Sequence, residues 1–326
     1  MWYNKLSKCA ENTGVKSRMV IFEGVSKRYG SHQALEEVSF TLKKGQVLGL
    51  LGQNGAGKSP AMNIMTGCLA ATKGRVLIDG HDVLLEPRAA RRMIGYLPEA
   101  APLYDEMTVR GYLRFACELK EVEKKHIAGH VQQIAEKTGL EDVLNRKIGN
   151  LSKGYRQRVG IAQALCGAPD VIILDEPTAG LDPSQASELR ALIRSLQGEH
   201  TVIFSSHILS EVQSVCDRVM ILHHGKVLCD SGLEELKKRE SKLRAVIACG
   251  EGTLLPALHS LEKIKKVEVI RGGEPGTTQV LLTVSEEGAE RELFTLLSAM
   301  QAPLLRLQAQ EKSLEEIFLQ TIGETI

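Results

Sequence analysis

Gly52-Gln53-Asn54-Gly55-Ala56-Gly57-Lys58-Ser59 is a glycine-rich run that ends in a cation and a hydroxyl. Glycines let successive backbone N–H groups converge on phosphate oxygens. A helix starting at Lys58 would add the positive end of its dipole. In that setting Lys58 neutralises the β- and γ-phosphates of a nucleotide, and the Ser59 hydroxyl is placed for Mg²⁺. A second centre lies far downstream. The bare apolar run 171–174 ends in Asp175-Glu176-Pro177. A carboxylate at a strand end suits Mg²⁺ through water, so Asp175 is the metal candidate. Glu176 beside it is the candidate to polarise an attacking water.

These residues need a frame. Segments 20–22, 38–42 and 47–51 read as strands, and the early strands as a separate antiparallel layer. Segments 58–67, 108–120, 124–138, 184–197 and 209–216 have helical patterns, and 75–79, 171–174, 201–205 and 218–222 read as strands. Strands alternating with helices predict a largely parallel α/β core, interrupted by a helix-rich stretch over about 100–167. After residue 232 the pattern changes. Strands at 242–249, 266–271, 278–284 and 304–309 with helices at 254–264 and 287–300 give the order of a ferredoxin-like unit. A last helix is expected from Ser313, which forms a capping box with Glu316. Residues 1–18 read as a loose tail or as the product of an upstream start codon.

Composition narrows the function. The chain has 326 residues, 43% apolar and 25% charged, which excludes disorder and allows two domains. Net charge is +1, so no basic field for nucleic acid is evident. Seven cysteines lack C-x-x-C or zinc spacing and fit free thiols in a reducing cytosol. No apolar run reaches the roughly 18–20 residues of a membrane span. His223-His224 reads as a surface turn and not as a metal site.

Leu151-Ser152-Lys153-Gly154-Tyr155 precedes the acidic pair and resembles the signature motif of ATP-binding cassette (ABC) ATPases. Tyr29, the glycine-rich loop, Leu97-Pro98-Glu99, the signature, Asp175-Glu176, Gly180-Leu181-Asp182 and His207 follow in that family's order, over about 20–232. The resemblance implies a fold class: an α/β P-loop NTPase core with an antiparallel β layer and a helical insertion. A small C-terminal α+β domain would follow. The implied boundaries are a tail at 1–18, the ATPase domain at 19–235 with its helical part near 100–167, and an accessory domain at 236–326.

The resemblance also implies roles. Tyr29 stacks on adenine. Gly52, Gln53, Asn54, Gly55, Ala56, Gly57, Lys58, Ser59 and Pro60 line the phosphates. Ser59, Glu99 and Asp175 serve Mg²⁺. Ser152 and Gly154 bind the γ-phosphate of ATP held by a second subunit, a copy of this chain or a homologous ATPase. Asp182 crosses that interface. Glu176, His207 and Lys58 carry catalysis, with His207 contacting the γ-phosphate. ATP and Mg²⁺ are the expected cofactors.

Four positions depart from the usual pattern. Pro60 stands where Thr or Ser is common, so one N–H and one hydroxyl are missing near the α-phosphate. Proline also biases Ser59 away from helical dihedrals. Glu99 stands where many members have Gln. Lys153 and Tyr155 alter the signature as in exporter-like members. The run through Pro102-Leu103-Tyr104 and Met107-Thr108-Val109, and the end Ser313-Leu314-Glu315-Glu316-Ile317-Phe318, resemble the multidrug and gliding-motility branch. The reading is an ATPase subunit powering a separate integral-membrane permease, placed in the cytoplasm on the inner face of the cell membrane. Residues 100–107 are the candidate docking surface. The alternatives are a soluble ABC ATPase acting on nucleic acid or ribosomes, and a weakly active regulatory subunit.

Overall fold

The structure is a computed structural model and describes residues 18–233, 235, 241–270, 276–284 and 288–311. The chain divides into two compact units between Ser231 and Gly232. The first contains two sheets. β1 (Arg18–Tyr29), β2 (His32–Lys43), β4 (Lys73–Ile78) and β5 (His81–Asp82) form an antiparallel sheet in the order β2-β1-β4-β5. β3 (Val47–Leu51), β6 (Ile94–Leu97), β7 (Val171–Leu174), β8 (Thr201–Ser206), β9 (Arg218–His223) and β10 (Lys226–Gly232) form the other, in the order β10-β9-β3-β8-β7-β6. Pairing is parallel from β9 through β3, β8 and β7 to β6. Every residue of β3, β7 and β8 is buried, as for strands covered on both faces.

The segment 47–51 does not join the antiparallel layer with its sequence neighbours. Its five residues have no polar side to turn to solvent, and it takes a central place between β8 and β9. Phe22 and Phe40 stack at 4.5 Å between ring centroids in the core shared by the two sheets of this unit.

Helices start where the sequence provides caps. Thr108 accepts the Gly111 N–H at 3.1 Å ahead of the helix Val109–Leu119. Ser152 caps Lys153–Leu165 and Asp182 caps Pro183–Ser195, accepting from Tyr155 and Gln185. The helix Lys124–Thr138 ends at Gly139 in the left-handed region. The helix Lys153–Leu165 belongs only partly to the helical stretch, since Gly95 of β6 lies against its Ala164 carbonyl.

The second unit has β11 (Ser241–Ile247), β12 (Ile264–Ile270), β13 (Thr278–Val284) and β14 (Leu304–Glu311) in the order β12-β13-β11-β14, all antiparallel. With helices Glu251–Leu258 and Ala289–Ala299, this is the ferredoxin-like arrangement. It has its own core, including Leu243, Leu254, Leu282 and Leu293. The first of these helices begins and ends earlier than the predicted 254–264. Gly250 is extended and Glu251 occupies the positive end of the dipole, while the chain turns at Leu261 into β12. The tail 1–17 and the capping box at Ser313 lie outside the described residues. Among those residues no helix is long and apolar enough to cross a membrane.

Candidate functional site

Parallel pairing brings the carboxyl ends of β3, β8 and β7 to one edge of the sheet, where ligands of open α/β sheets bind. The loop 52–59 follows β3, Asp175-Glu176 follows β7, and His207 follows β8. β6 ends at Leu97, two residues before Glu99. A cleft of about 620 Å³ results, lined by Tyr29, Gln53, Asn54, Gly55, Gly57, Lys58, Ser59, Pro60, Glu99, Glu176 and His207. Its size is that of a small-molecule site.

The loop shape depends on its glycines. Gly57 has φ +109°, and a Cβ there would lie 2.7 Å from the Ala34 carbonyl oxygen. A Cβ at Gly52 would lie 2.6 Å from the Leu222 carbonyl oxygen and 2.9 Å from the Ala56 Cβ. Both cradle positions therefore exclude any side chain. Lys58 is 5% exposed and opens the helix Lys58–Met65. Its ammonium donates to the carbonyls of Gly52 at 2.6 Å and Gln53 at 3.3 Å. It also stands 3.3 Å from Glu176 Oε1.

Glu176 has φ +45°, a left-handed conformation that strains a residue with a Cβ. The turn is fixed at its amide, which donates to Ser205 Oγ at 2.8 Å. Its second carboxylate oxygen lies 2.9 Å from His207 Nδ1. A carboxylate only accepts, so Nδ1 carries the hydrogen, and Nε2 is left for a further partner. Asp175 is 4% exposed and accepts from Ser205 Oγ at 2.6 Å. Burial raises its pKa above the ordinary carboxylate range, and Glu176 adds to this. The hydroxyls of Ser205 and Ser59 and the Lys58 ammonium oppose the rise. Ser59 thus lies near Asp175. A buried carboxylate and an exposed hydroxyl are oxygen donors of the kind a hard divalent ion takes.

Tyr29 is half exposed at the end of β1, with the Lys27 ammonium 5.1 Å from its ring centroid. Glu99 is exposed on the cleft. Pro60 lies in the first turn of the helix, where the first intrahelical bond runs from Ala61 N–H to the Gly57 carbonyl. The missing N–H is one that the helix does not use. Contrary to the sequence expectation, Ser59 is helical despite preceding proline.

Ser152 and Gly154 are not brought to this cleft. They line another, of about 420 Å³, with Tyr155, Arg158, Leu181 and Gln185, and the two clefts have no residue in common. Gly154 packs where a Cβ would lie 2.9 Å from Gln185 Oε1. Asp182 starts the helix beside this second cleft. His223 and His224 stack edge to face at 4.2 Å between ring centroids, where β9 turns into β10.

Three site neighbours carry no motif signal. Ser205 ties Asp175 to Glu176. Tyr96 donates to Asn63 at 3.3 Å, and burial, with Asp175 nearby, holds its phenol above the usual range. Glu211 is a buried carboxylate beside His207. Cys68, Cys117, Cys166, Cys216 and Cys249 are free thiols.

Comparison with known proteins gives the class. Residues 35–179 match the ABC transporter family model. The ATP-binding protein NatA of Bacillus subtilis is 38% identical over 210 residues, covering 64% of this chain and 85% of NatA. The bacitracin transport ATP-binding protein BcrA of Bacillus licheniformis is 32% identical over 301 residues, 92% of this chain and 95% of BcrA. That match extends well into the second unit, beyond the 20–232 of the sequence motifs. A solved dimeric bacterial ABC transporter cassette is 27% identical, with a TM-score of 0.60 over 66% of this chain and 99% of the cassette. The chain belongs to the ABC transporter family, as an ATP-binding subunit that hydrolyses ATP to power transport.

Proposed function

We propose that two copies of this chain, or one copy and a homologous ATPase, close head to tail on two ATP molecules beneath a membrane-spanning permease. The subunit then works in the cytoplasm, on the inner face of the cell membrane. The first unit is the motor and the second an accessory domain. One observation carries the reading: the Lys58 ammonium, the Glu176 carboxylate and the His207 ring form one cluster against the glycine loop, at 3.3 and 2.9 Å. Such a cluster can hold a triphosphate and orient water on it.

In this reading the loop amides and Lys58 hold the β- and γ-phosphates. Tyr29 stacks on adenine. Glu176 orients water and accepts its proton, and His207 holds Glu176 in place and reaches the γ-phosphate. Ser59, Asp175 and Glu99 would hold Mg²⁺, which supplies positive charge to the phosphoryl oxygens when bound. Ser152 and Gly154 point to pairing, because their cleft is separate from the one that contains Lys58. Each would close on ATP held by the other copy, with Asp182 crossing the interface.

The permease is proposed to dock near residues 100–107. There a cleft of about 860 Å³ combines Tyr104, Phe115 and Leu119 with a basic rim of Arg88, Arg91 and Arg92. Tyr104 is 55% and Leu119 68% exposed, an apolar patch of the kind that marks partner sites. The chain is expected to sediment as a monomer alone and as a dimer with ATP and Mg²⁺. A chain that stays monomeric with saturating ATP would contradict the pairing.

Pro60 tunes this reading. Restoring a donor hydroxyl and N–H with Pro60→Thr should tighten ATP binding. One hydrogen bond to a charged group contributes about 1.5–3 kcal/mol, or about one to two decades in Kd. Titration calorimetry on the two chains measures it, and equal affinities would sink the idea. ATP binding without phosphate release would favour a regulatory subunit.

A further inference from the structure

Glu211 is a carboxylate that the reaction as described does not use. It lies in the first turn of the helix Leu209–Val215 and is 4% exposed. A buried charge is costly unless matched. Here two hydroxyls match it on one oxygen: Oε2 accepts from Thr178 Oγ1 at 2.8 Å and from Ser206 Oγ at 2.6 Å. The other oxygen lies 3.6 Å from Arg190, on the helix that Asp182 caps.

The origin of those hydroxyls matters more than their number. Thr178 is two residues after Glu176. Ser206 is the residue before His207, and its oxygen also accepts the Ile208 N–H at 3.0 Å, closing the turn around His207. The segments of Glu176 and His207 touch each other at 2.9 Å and are joined again through a single oxygen of Glu211. A displacement of the Thr178–Asp182 segment therefore reaches His207 by a path of three side chains.

We propose that Glu211 is a positioning residue that holds Glu176 and His207 in mutual register by gathering Thr178 and Ser206 onto one carboxylate oxygen. It acts through its neighbours and touches no substrate. The inference rests on the reading that Glu176 and His207 act on ATP. Because it sets geometry at the reacting end and not at the phosphate loop, it governs kcat and leaves KM for ATP in place.

The test is steady-state ATP turnover by the purified full chain, with melting curves to confirm the fold. Glu211→Gln keeps the shape and removes the charge. It should lower kcat by about ten- to a hundredfold, as small misplacements do, with KM within about twofold. Thr178→Val is isosteric and cuts one arm only, so it should lower kcat by a smaller factor, about threefold, even if the first variant folds poorly. A coupling readout separates positioning from general support. In a His207→Ala chain, Glu211→Gln should cost less than about a further twofold, because the partner it positions is gone. Full kcat in both Glu211→Gln and Thr178→Val, or losses that multiply with His207→Ala, would overturn the proposal. If Glu176→Gln itself keeps full turnover, the underlying site reading fails and this falls with it. If Glu176→Gln is inactive while Glu211→Gln and Thr178→Val both run at full rate, only the role of Glu211 fails.

Discussion

Glu176→Gln lowers ATP turnover by about two to four orders of magnitude, the range for removing a positioned general base. Binding should survive, because the amide fills the same space and Lys58 keeps its bonds to the Gly52 and Gln53 carbonyls. The effect comes from chemistry the amide cannot do. Gln cannot accept a proton, and it offers a donor pair where His207 Nδ1–H now meets an acceptor at 2.9 Å. The strained turn at φ +45° aims this side chain, so the backbone already holds it for one task. Single-turnover phosphate release with a parallel binding titration measures both halves. A variant that turns over within about tenfold of the parent would remove Glu176 from the role of base.

Lys58→Met should act on the other quantity. The methionine keeps the buried stem and removes the ammonium. Two charged contacts to phosphate, at about 1.5–3 kcal/mol each, correspond to about two to four decades of ATP affinity. The fold is expected to lose less. The Gly52 and Gln53 carbonyls lose a donor, and Glu176 keeps His207 as a partner. Calorimetric titration with ATP, beside a melting curve, separates the two losses. Binding reduced by less than about tenfold would place the phosphates elsewhere. The two variants form opposite cases, one holding ATP without turning it over and one unable to hold it.

Much of this was legible in the sequence, for identifiable reasons. Val171–Leu174 is a strand with every residue buried, and four adjacent apolar residues ending in carboxylates announce that. The glycine loop is legible because its steric demands exclude other residues, as the 2.6 and 2.7 Å contacts of a hypothetical Cβ at Gly52 and Gly57 show. What stayed hidden depends on which strands become neighbours. β3 was read with the antiparallel strands around it, yet it lies between β8 and β9. Ser205, Tyr96 and Glu211 are ordinary residue types at unremarkable spacings. Only the β3-β8-β7-β6 order brings Ser205 and Tyr96 to Asp175, and Glu211 to the segments of Glu176 and His207. Leucines carry the apolar phase of the helix Glu251–Leu258 past its end, to Leu261, so the sequence pattern puts the helix too late. Pro60 was expected to disturb Ser59, but the first helical turn accepts proline there.

The place of β3 has a consequence for how the protein is made. Its pairing partners begin at Val202 on one side and Arg218 on the other. During synthesis this five-residue apolar strand emerges well before β8 and β9. It must then wait for almost the whole first unit before either neighbour exists. Such long-range closure is slow, and the waiting strand is a site for aggregation. The phosphate loop, which directly follows β3, is therefore among the last features of the unit to take shape. A ribosome stalled before β8 would carry the entire glycine motif and bind no nucleotide.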